Sequence, residues 1–408
     1  LTSLRNFKLP FFAAILSVLP FLIWLPKFKL LYWFHDDWEL LNDWTTFGTA
    51  AWIRQPMGEN FAPVFKLLWV GAIHLTGGSY LGMITLLWIT HLAILFLLAM
   101  LLVRCDFSAN AAAVSVLLLG LAWTNIEILG WATQWSALLC TLFLMIAWVA
   151  LAGSVGRGAA ILAIVALVLG GATFVRGIPY GAVLGVFWLL SRRKLRYAAL
   201  LFATSLILSI PYGHLLATHP NFQHMEPSRI AAMALWARNY LLLNPLYLLL
   251  SYPAKAADTK ALWIFGAMKI LVMMAALLVA TEAQRRLLWT LLLFEIANAA
   301  LIASGRYDTG SAGEISSRYQ YAALLCFGPF LGVVIARMAR AKALFYACLI
   351  GLALAITIPW GRHLDRWSYE RGTRVRESIS STPDDQRFGL PSITAGRAHE
   401  LIAKYRLH

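Results

Sequence analysis

Long apolar runs separated by short charged turns dominate this chain. A helix crossing the bilayer needs roughly 20 mostly apolar residues. Runs of that kind predict spans at 9–26, 80–103, 107–126, 135–153, 158–175, 177–191, 197–217, 261–281, 287–305, 319–336 and 343–361. The expected fold class is therefore an all-α polytopic membrane protein of about 11 transmembrane helices. Pro179 near the start of the sixth run predicts an irregular entry. Two further stretches are ambiguous. Residues 61–78 contain Lys66, His74 and Gly77-Gly78, and 229–252 is broken by Pro245 and flanked by Pro253.

Charge placement settles the ambiguity and the orientation together. If both stretches lie in the interface, the N-terminal segment and the turns near 104–106, 153–158, 191–196, 282–286 and 337–342 share one side. Those segments hold thirteen Lys and Arg against two acids, Asp106 and Glu282. By the positive-inside rule that side is cytoplasmic. A crossing at 229–252 would instead put Arg285 and Arg286 outside. The first span follows Arg5 and Lys8 as a signal peptide would, but Trp24, Pro26 and Lys27 follow it rather than a small-residue cleavage site, so it reads as a retained helix. The organisation expected is one membrane domain over 1–361, whose first external loop spans 27–79, and a short polar external tail over 362–408.

Composition sharpens this picture. Hydrophobic residues make up 60% of the 408 and charged residues 13%, a balance that excludes both a soluble enzyme and a disordered chain. The 17 Trp suit aromatic belts at the membrane interfaces. The net charge of +15 is no sign of nucleic-acid binding, because the positives sit in turns between apolar runs. The four Cys have no CxxC or paired spacing, so neither a disulfide framework nor a zinc site is read.

Acids are scarce, so their positions inform. The 27–79 loop holds Asp36, Asp37, Glu39, Asp43 and Glu59 and is the one long segment outside the tail with an acid excess. Its core, WFHDDWELLNDW at 33–44, sets two adjacent carboxylates among Trp33, Trp38 and Trp44. Adjacent carboxylates repel, which invites a proton, a metal, a basic partner or a substrate hydroxyl; the plainer alternative is a solvated acidic loop. A second outer cluster, GRYDTGSAGEISSRYQY at 305–321, carries Arg306 and Arg318, where a guanidinium fork can meet phosphate or merely snorkel. Arg176, at the outer end of the fifth run, reads as a phosphate contact or a helix-end cap. Glu127, Trp131 and Gln134 fall at the outer turn between the third and fourth runs and could line one cavity with Asp36 and Asp37. Lys269 and Glu295 break consecutive apolar runs at similar depth and read as a buried ion pair, or less simply as a proton relay. His214, His219 and His224 recur every five residues, which matches no ligand spacing. No HExxH, Walker A, GxGxxG or GxSxG pattern occurs.

With these residues the sequence resembles the GT-C glycosyltransferases, polytopic membrane enzymes that take a sugar from a polyprenyl-phosphate carrier. The resemblance rests on Asp36-Asp37 in the first external loop, on RQPMGENFAPVFKLLW at 54–69 with His91 in the next span, and on SSRY at 316–319 in a late external loop. The second of these is similar to bacterial relatives of protein O-mannosyltransferases and aminoarabinose transferases. Larger members carry a big external C-terminal domain, which no stretch of these 408 residues is expected to form, and this departure argues against protein-glycosylating oligosaccharyl transfer. The resemblance implies a bacterial plasma-membrane enzyme with its site on the external or periplasmic face, inverting at the anomeric carbon. Asp37 is then the base with Asp36 as its partner, or the reverse. Arg318, Arg306, Arg176 and Tyr319 bind the phosphate. Glu39, Glu127, Trp131, Gln134 and Arg54 line the acceptor side. No cofactor is expected, and a divalent metal is left open with a lean towards metal independence. Partners are the polyprenyl-phosphate-linked sugar donor, membrane lipids and an acceptor glycan, lipid or protein. The competing readings are a secondary transporter or lipid-linked-substrate flippase, which Lys269, Glu295, Gly170-Gly171 and Pro211 support modestly, and a non-catalytic scaffold.

Overall fold

The computed structural model describes residues 5–58, 60–153, 156–192, 195–218, 227–250, 259–309, 313, 315–338, 350–351, 357–389 and 392–408. Among the described residues the regular structure is helical, with only isolated bridges at Met57–Asn60 and Arg387–Thr394. Six helices among the described residues are long and apolar enough to cross a membrane: Tyr80–Arg104, Ala132–Gly153, Leu195–Gly213, Thr259–Val279, Glu282–Thr309 and Ser317–Arg337. A seventh is added if Ala109–Leu121 and Trp123–Gly130, bent by 49°, form one broken span. The described residues are thus all-α and of membrane type, with six or seven helices that meet the length and hydropathy expected of a span.

Several of the expected runs form shorter helices for local reasons. The first run forms a helix over Arg5–Leu16 that breaks ahead of a second, Leu19–Ile23, where Ser17 Oγ donates back to Ala13 O at 2.8 Å and Pro20 follows. The fifth run stops at Gly171, where Thr173 Oγ1 donates to Gly170 O at 2.7 Å. The sixth yields only the 13-residue helix Tyr180–Arg192. Most of the eleventh run, 343–361, lies outside the described residues. Neither ambiguous stretch joins the six: Pro63–Thr76 has 14 residues and Pro227–Leu243 has 17.

Helix ends are fixed by side-chain caps. Ser79 accepts from Gly82 N at 3.3 Å, Ser108 from Ala111 N at 3.2 Å, and Thr281 forms a reciprocal capping box with Gln284. The turns at 104–108, 151–152, 191, 281–286 and 337 border shared cavities at one end of the bundle, and Gln284 Nε2 donates to Asp106 O at 2.7 Å to join two of them. Small residues let Ala109–Leu121 and Ser317–Met338 pack backbone to backbone; a Cβ on Gly332 would collide with Ala111 O. The expected ion pair forms between the helices Thr259–Val279 and Glu282–Arg306: Lys269 Nζ lies 2.5 Å from Glu295 Oε1 and also donates to Leu241 O and Asn244 O at 2.8 Å each.

At the opposite end the 27–79 loop and the C-terminal segment fold onto each other. The C-terminal segment, polar in sequence, packs against the rest of the chain. Trp360, Leu364, Ile379, Phe388 and Leu401 are buried in the same core as the spans. Trp360 Nε1 donates to Leu121 O at 2.8 Å, Tyr405 stacks on Trp44 at 4.5 Å, and Tyr80 N donates to His408 O at 2.9 Å. Gly372 touches the loop so closely that a Cβ there would strike Leu30 O.

Candidate functional site

The acidic pair opens the helix Asp36–Phe47, entered through His35 at φ +46°. Three acids in the first turn suit the positive end of the helix dipole. The two neighbours then diverge, because successive helical residues point about a quarter-turn apart. Asp37 points inward and is fully buried. Its Oδ1 accepts from Thr133 N at 3.0 Å and from Thr133 Oγ1, and its Oδ2 from Phe34 N at 3.0 Å and Tyr80 Oη at 3.4 Å. Burial pushes its pKa up to about 7, against the opposing pull of those hydrogen bonds and with help from the Asp36 charge. Asp36 points outward, its side chain 46% exposed, and is paired with His35 Nδ1. The bond to Asp36 raises the His35 pKa, with partial burial opposing.

The short helix Ile126–Gly130 and the turn after it connect this pair to the late loop. At one end Gly130 O accepts from Tyr80 Oη at 3.5 Å, and Thr133 grips Asp37. At the other end Glu127 Oε2 accepts from Ser317 Oγ, from Ser316 Oγ at 3.5 Å and from Arg318 N at 3.2 Å. Residues 37 and 318, far apart in sequence, are thus tied to one short segment, Asp37 through Thr133 and Arg318 through Glu127. Trp131 Nε1 donates to Phe34 O at 3.3 Å and holds the entry to the acidic helix.

Beyond Glu127 lies a cationic cluster around Tyr319. The Arg318 guanidinium lies 5.1 Å from the Tyr319 ring centre and that of Arg176 lies 5.5 Å from it, with Phe174 5.4 Å from Arg176. Arg176 is only 8% exposed. Among the described residues neither side chain has an ion-pair partner or hydrogen-bond acceptor, and Arg318 Nε is buried without one. A buried guanidinium facing only aromatic rings is costly unless an anion completes its shell. Trp236 Nε1 is also orphaned and its ring meets Tyr319 edge-on at 6.1 Å.

Other expected residues are less involved. Glu39 is bound by Ser392, with N donating at 2.7 Å and Oγ at 2.6 Å, so it anchors the C-terminal segment. Arg306 is half-buried at the end of the helix Glu282–Arg306. Arg54 is exposed and Gln134 half-buried at the turn before Trp135. His219, His224 and the side chain of His214 lie outside the described residues, as does Glu59. Among the described residues no group of three His, Cys, Asp or Glu side chains is placed to hold a metal ion.

One contributor had no place in the sequence reading. Arg371, from the C-terminal segment, lies over the Phe34 ring at 3.6 Å, with Trp367 at 4.3 Å and Trp131 at 5.5 Å. Burial lowers its pKa from the usual guanidinium value, while Glu127, Tyr80, Glu370 and Asp37 pull the other way. The legible signal was the apolar spacing Trp360, Leu364, Trp367 inside a polar stretch, which marks a helix with one face to bury. No protein-family model matches the sequence, and comparisons with curated proteins and with solved structures also yield no match.

Proposed function

We propose that this chain is a membrane glycosyltransferase that moves a sugar from a polyprenyl-phosphate carrier to an acceptor hydroxyl at the external face of a bacterial plasma membrane. The observation that carries this reading is a pair of unlike half-sites flanking the 126–134 segment: an exposed carboxylate–imidazole pair, Asp36 and His35, and a cation pair, buried Arg176 and half-buried Arg318, with no anion among the described residues. Transfer needs both. The acceptor hydroxyl loses its proton to the Asp36–His35 pair as its oxygen attacks the anomeric carbon. The bond from that carbon to the phosphate oxygen breaks, and the phosphate leaves with the electron pair. Its growing charge is met by Arg176 and Arg318. Inversion follows from a single displacement. Of the two aspartates, the exposed Asp36 suits proton transfer, while Asp37, enclosed by four donor contacts, suits positioning of the helix entry.

The reading predicts that Asp36→Asn lowers sugar transfer by about 10²–10⁴, the usual contribution of a general base, and leaves thermal stability nearly unchanged. Turnover by purified protein with extracted polyprenyl-phosphate sugars checks this. Wild-type rates in that variant would take Asp36 out of the chemistry. Mass spectrometry of lipids co-purifying with the wild-type chain tests the donor class; a preparation containing no polyprenyl phosphate after mild extraction would count against it.

A further inference from the structure

Beside the acidic pair, the loop and the C-terminal segment enclose a cavity of about 420 Å³. Phe34, His35, Glu370, Arg371, Arg374 and Phe388 form its walls. Its volume suits a ligand of small-molecule size. Its charge is unbalanced. Glu370, the one carboxylate in the wall, accepts from Arg366 Nε at 2.8 Å, so it is shared with a cation outside the cavity. His35 is matched by Asp36. Arg371 and Arg374 remain, and among the described residues neither has an ion pair or a side-chain hydrogen bond.

Arg371 is also held in advance. Three aromatic rings fix its guanidinium plane, and its backbone O accepts from Tyr32 N at 3.1 Å, which ties the residue to the loop. Rings satisfy the face of a guanidinium but not its N–H edge, which needs oxygen acceptors. A planar fork immobilised before binding loses little entropy when it grips a carboxylate or phosphate. Phe34 and Phe388 add apolar walls suited to the face of a ring.

We propose that this cavity is the acceptor subsite and that it selects an acceptor bearing an oxyanion, a carboxylate or phosphate gripped by Arg371, with Arg374 at its edge. The assignment of acceptor rests on the Asp36–His35 pair being the proton-taking side of transfer; the oxyanion site itself does not. The bound anion then sets the reacting hydroxyl beside Asp36, and a neutral acceptor lacks that hold.

Binding to the full chain in phosphatidylcholine nanodiscs tests this, with tryptophan fluorescence as readout because Trp131 and Trp367 flank Arg371. Glucuronate and glucose 6-phosphate should bind at least tenfold more tightly than glucose, less so as salt rises. Arg371→Ala should lose at least tenfold, and Arg371→Lys should lose part of that, because charge survives but the fork does not. Arg374→Ala, at an exposed position, guards against misfolding as the cause and should lose a smaller factor. In phosphatidylglycerol nanodiscs, competition with the soluble probes would assign the oxyanion to a lipid headgroup, and no competition to a soluble or glycan acid. Equal binding of glucose and the acids, or unchanged binding in both arginine variants, overturns the proposal. Acid binding without any sugar transfer would sink the transferase reading and leave the oxyanion site standing. Transfer that ignores both arginines would overturn the acceptor assignment and leave the transferase reading standing.

Discussion

Two regions of this molecule bury charge and do so in opposite ways. Among the spans, Lys269 and Glu295 meet at 2.5 Å, and the ammonium also has two carbonyl oxygens, so both groups are satisfied within the chain. At the outer end, Arg176 and Arg318 surround Tyr319 with no anion among the described residues. A closed cluster holds a fold together. An open one carries a cost that folding alone does not repay, and such costs persist where a ligand repays them. The transporter reading drew on Lys269 and Glu295; their closure gives those residues a structural role.

The largest effect should come from opening the closed cluster. Glu295→Gln leaves a buried ammonium without its carboxylate, and removing one partner of a buried pair costs about 3–5 kcal/mol. The expected outcome is a large fall in the detergent unfolding midpoint with donor affinity per folded molecule unchanged. Stability within error of wild type would break the contrast on the side of the spans.

How much of this was legible in advance depends on the range of the interactions. Spans such as Tyr80–Arg104 and Thr259–Val279 were readable because twenty-odd apolar residues have one stable form in a bilayer. The 9–26 and 158–175 runs form shorter apolar helices, because Ser17, Pro20 and Gly170-Gly171 interrupt helices without lowering hydrophobicity. The acidic pair was visible as a pair, but not its division of labour, since which side chain turns inward depends on Thr133 and Tyr80. Glu127 was singled out, yet its grip on Ser317 and Arg318 joins residues 190 and 191 positions apart and leaves no local pattern. In the C-terminal segment, charge masks the Trp360–Leu364–Trp367 and Ala398–Leu401–Tyr405 stripes that dock it.

Asp37 stands between the two kinds of cluster, since it is closed by hydrogen bonds yet has no cation bonded to it. Its carboxyl titrates at about 7 in the folded chain because of burial, against an ordinary value of 3.8. A raised acid pKa favours the folded state while the proton is on. That contribution is complete below pH 3.8 and is lost as pH rises to about 7, at a rate of about 1.4 kcal/mol per pH unit between the two. Wild-type stability should therefore decline from pH 5 to 7 more steeply than that of Asp37→Asn, which carries no titrating group there. Unfolding midpoints across that window give the comparison. Parallel curves would mean that the four donor contacts outweigh burial and keep Asp37 ionised throughout.

The smallest effect on folding, and the most discriminating, should come from Arg176→Met. If Arg176 awaits an anion, removing its charge relieves an unpaid desolvation, and an apolar side chain of similar length fills the space beside Phe174 and Tyr319. Apolar replacement of buried charge is often neutral or stabilising. The unfolding midpoint should hold or rise. Donor affinity should fall by roughly 10–100-fold, the loss expected for one charge-assisted contact of about 1.5–3 kcal/mol. The two readouts move in opposite directions only if the cluster is open for a ligand. Were Arg176 held in place for its two ring contacts, worth about 0.5–2 kcal/mol each when desolvated, stability would drop and donor affinity would not. That result would make the Tyr319 cluster a second closed one and remove the phosphate-binding half of the site.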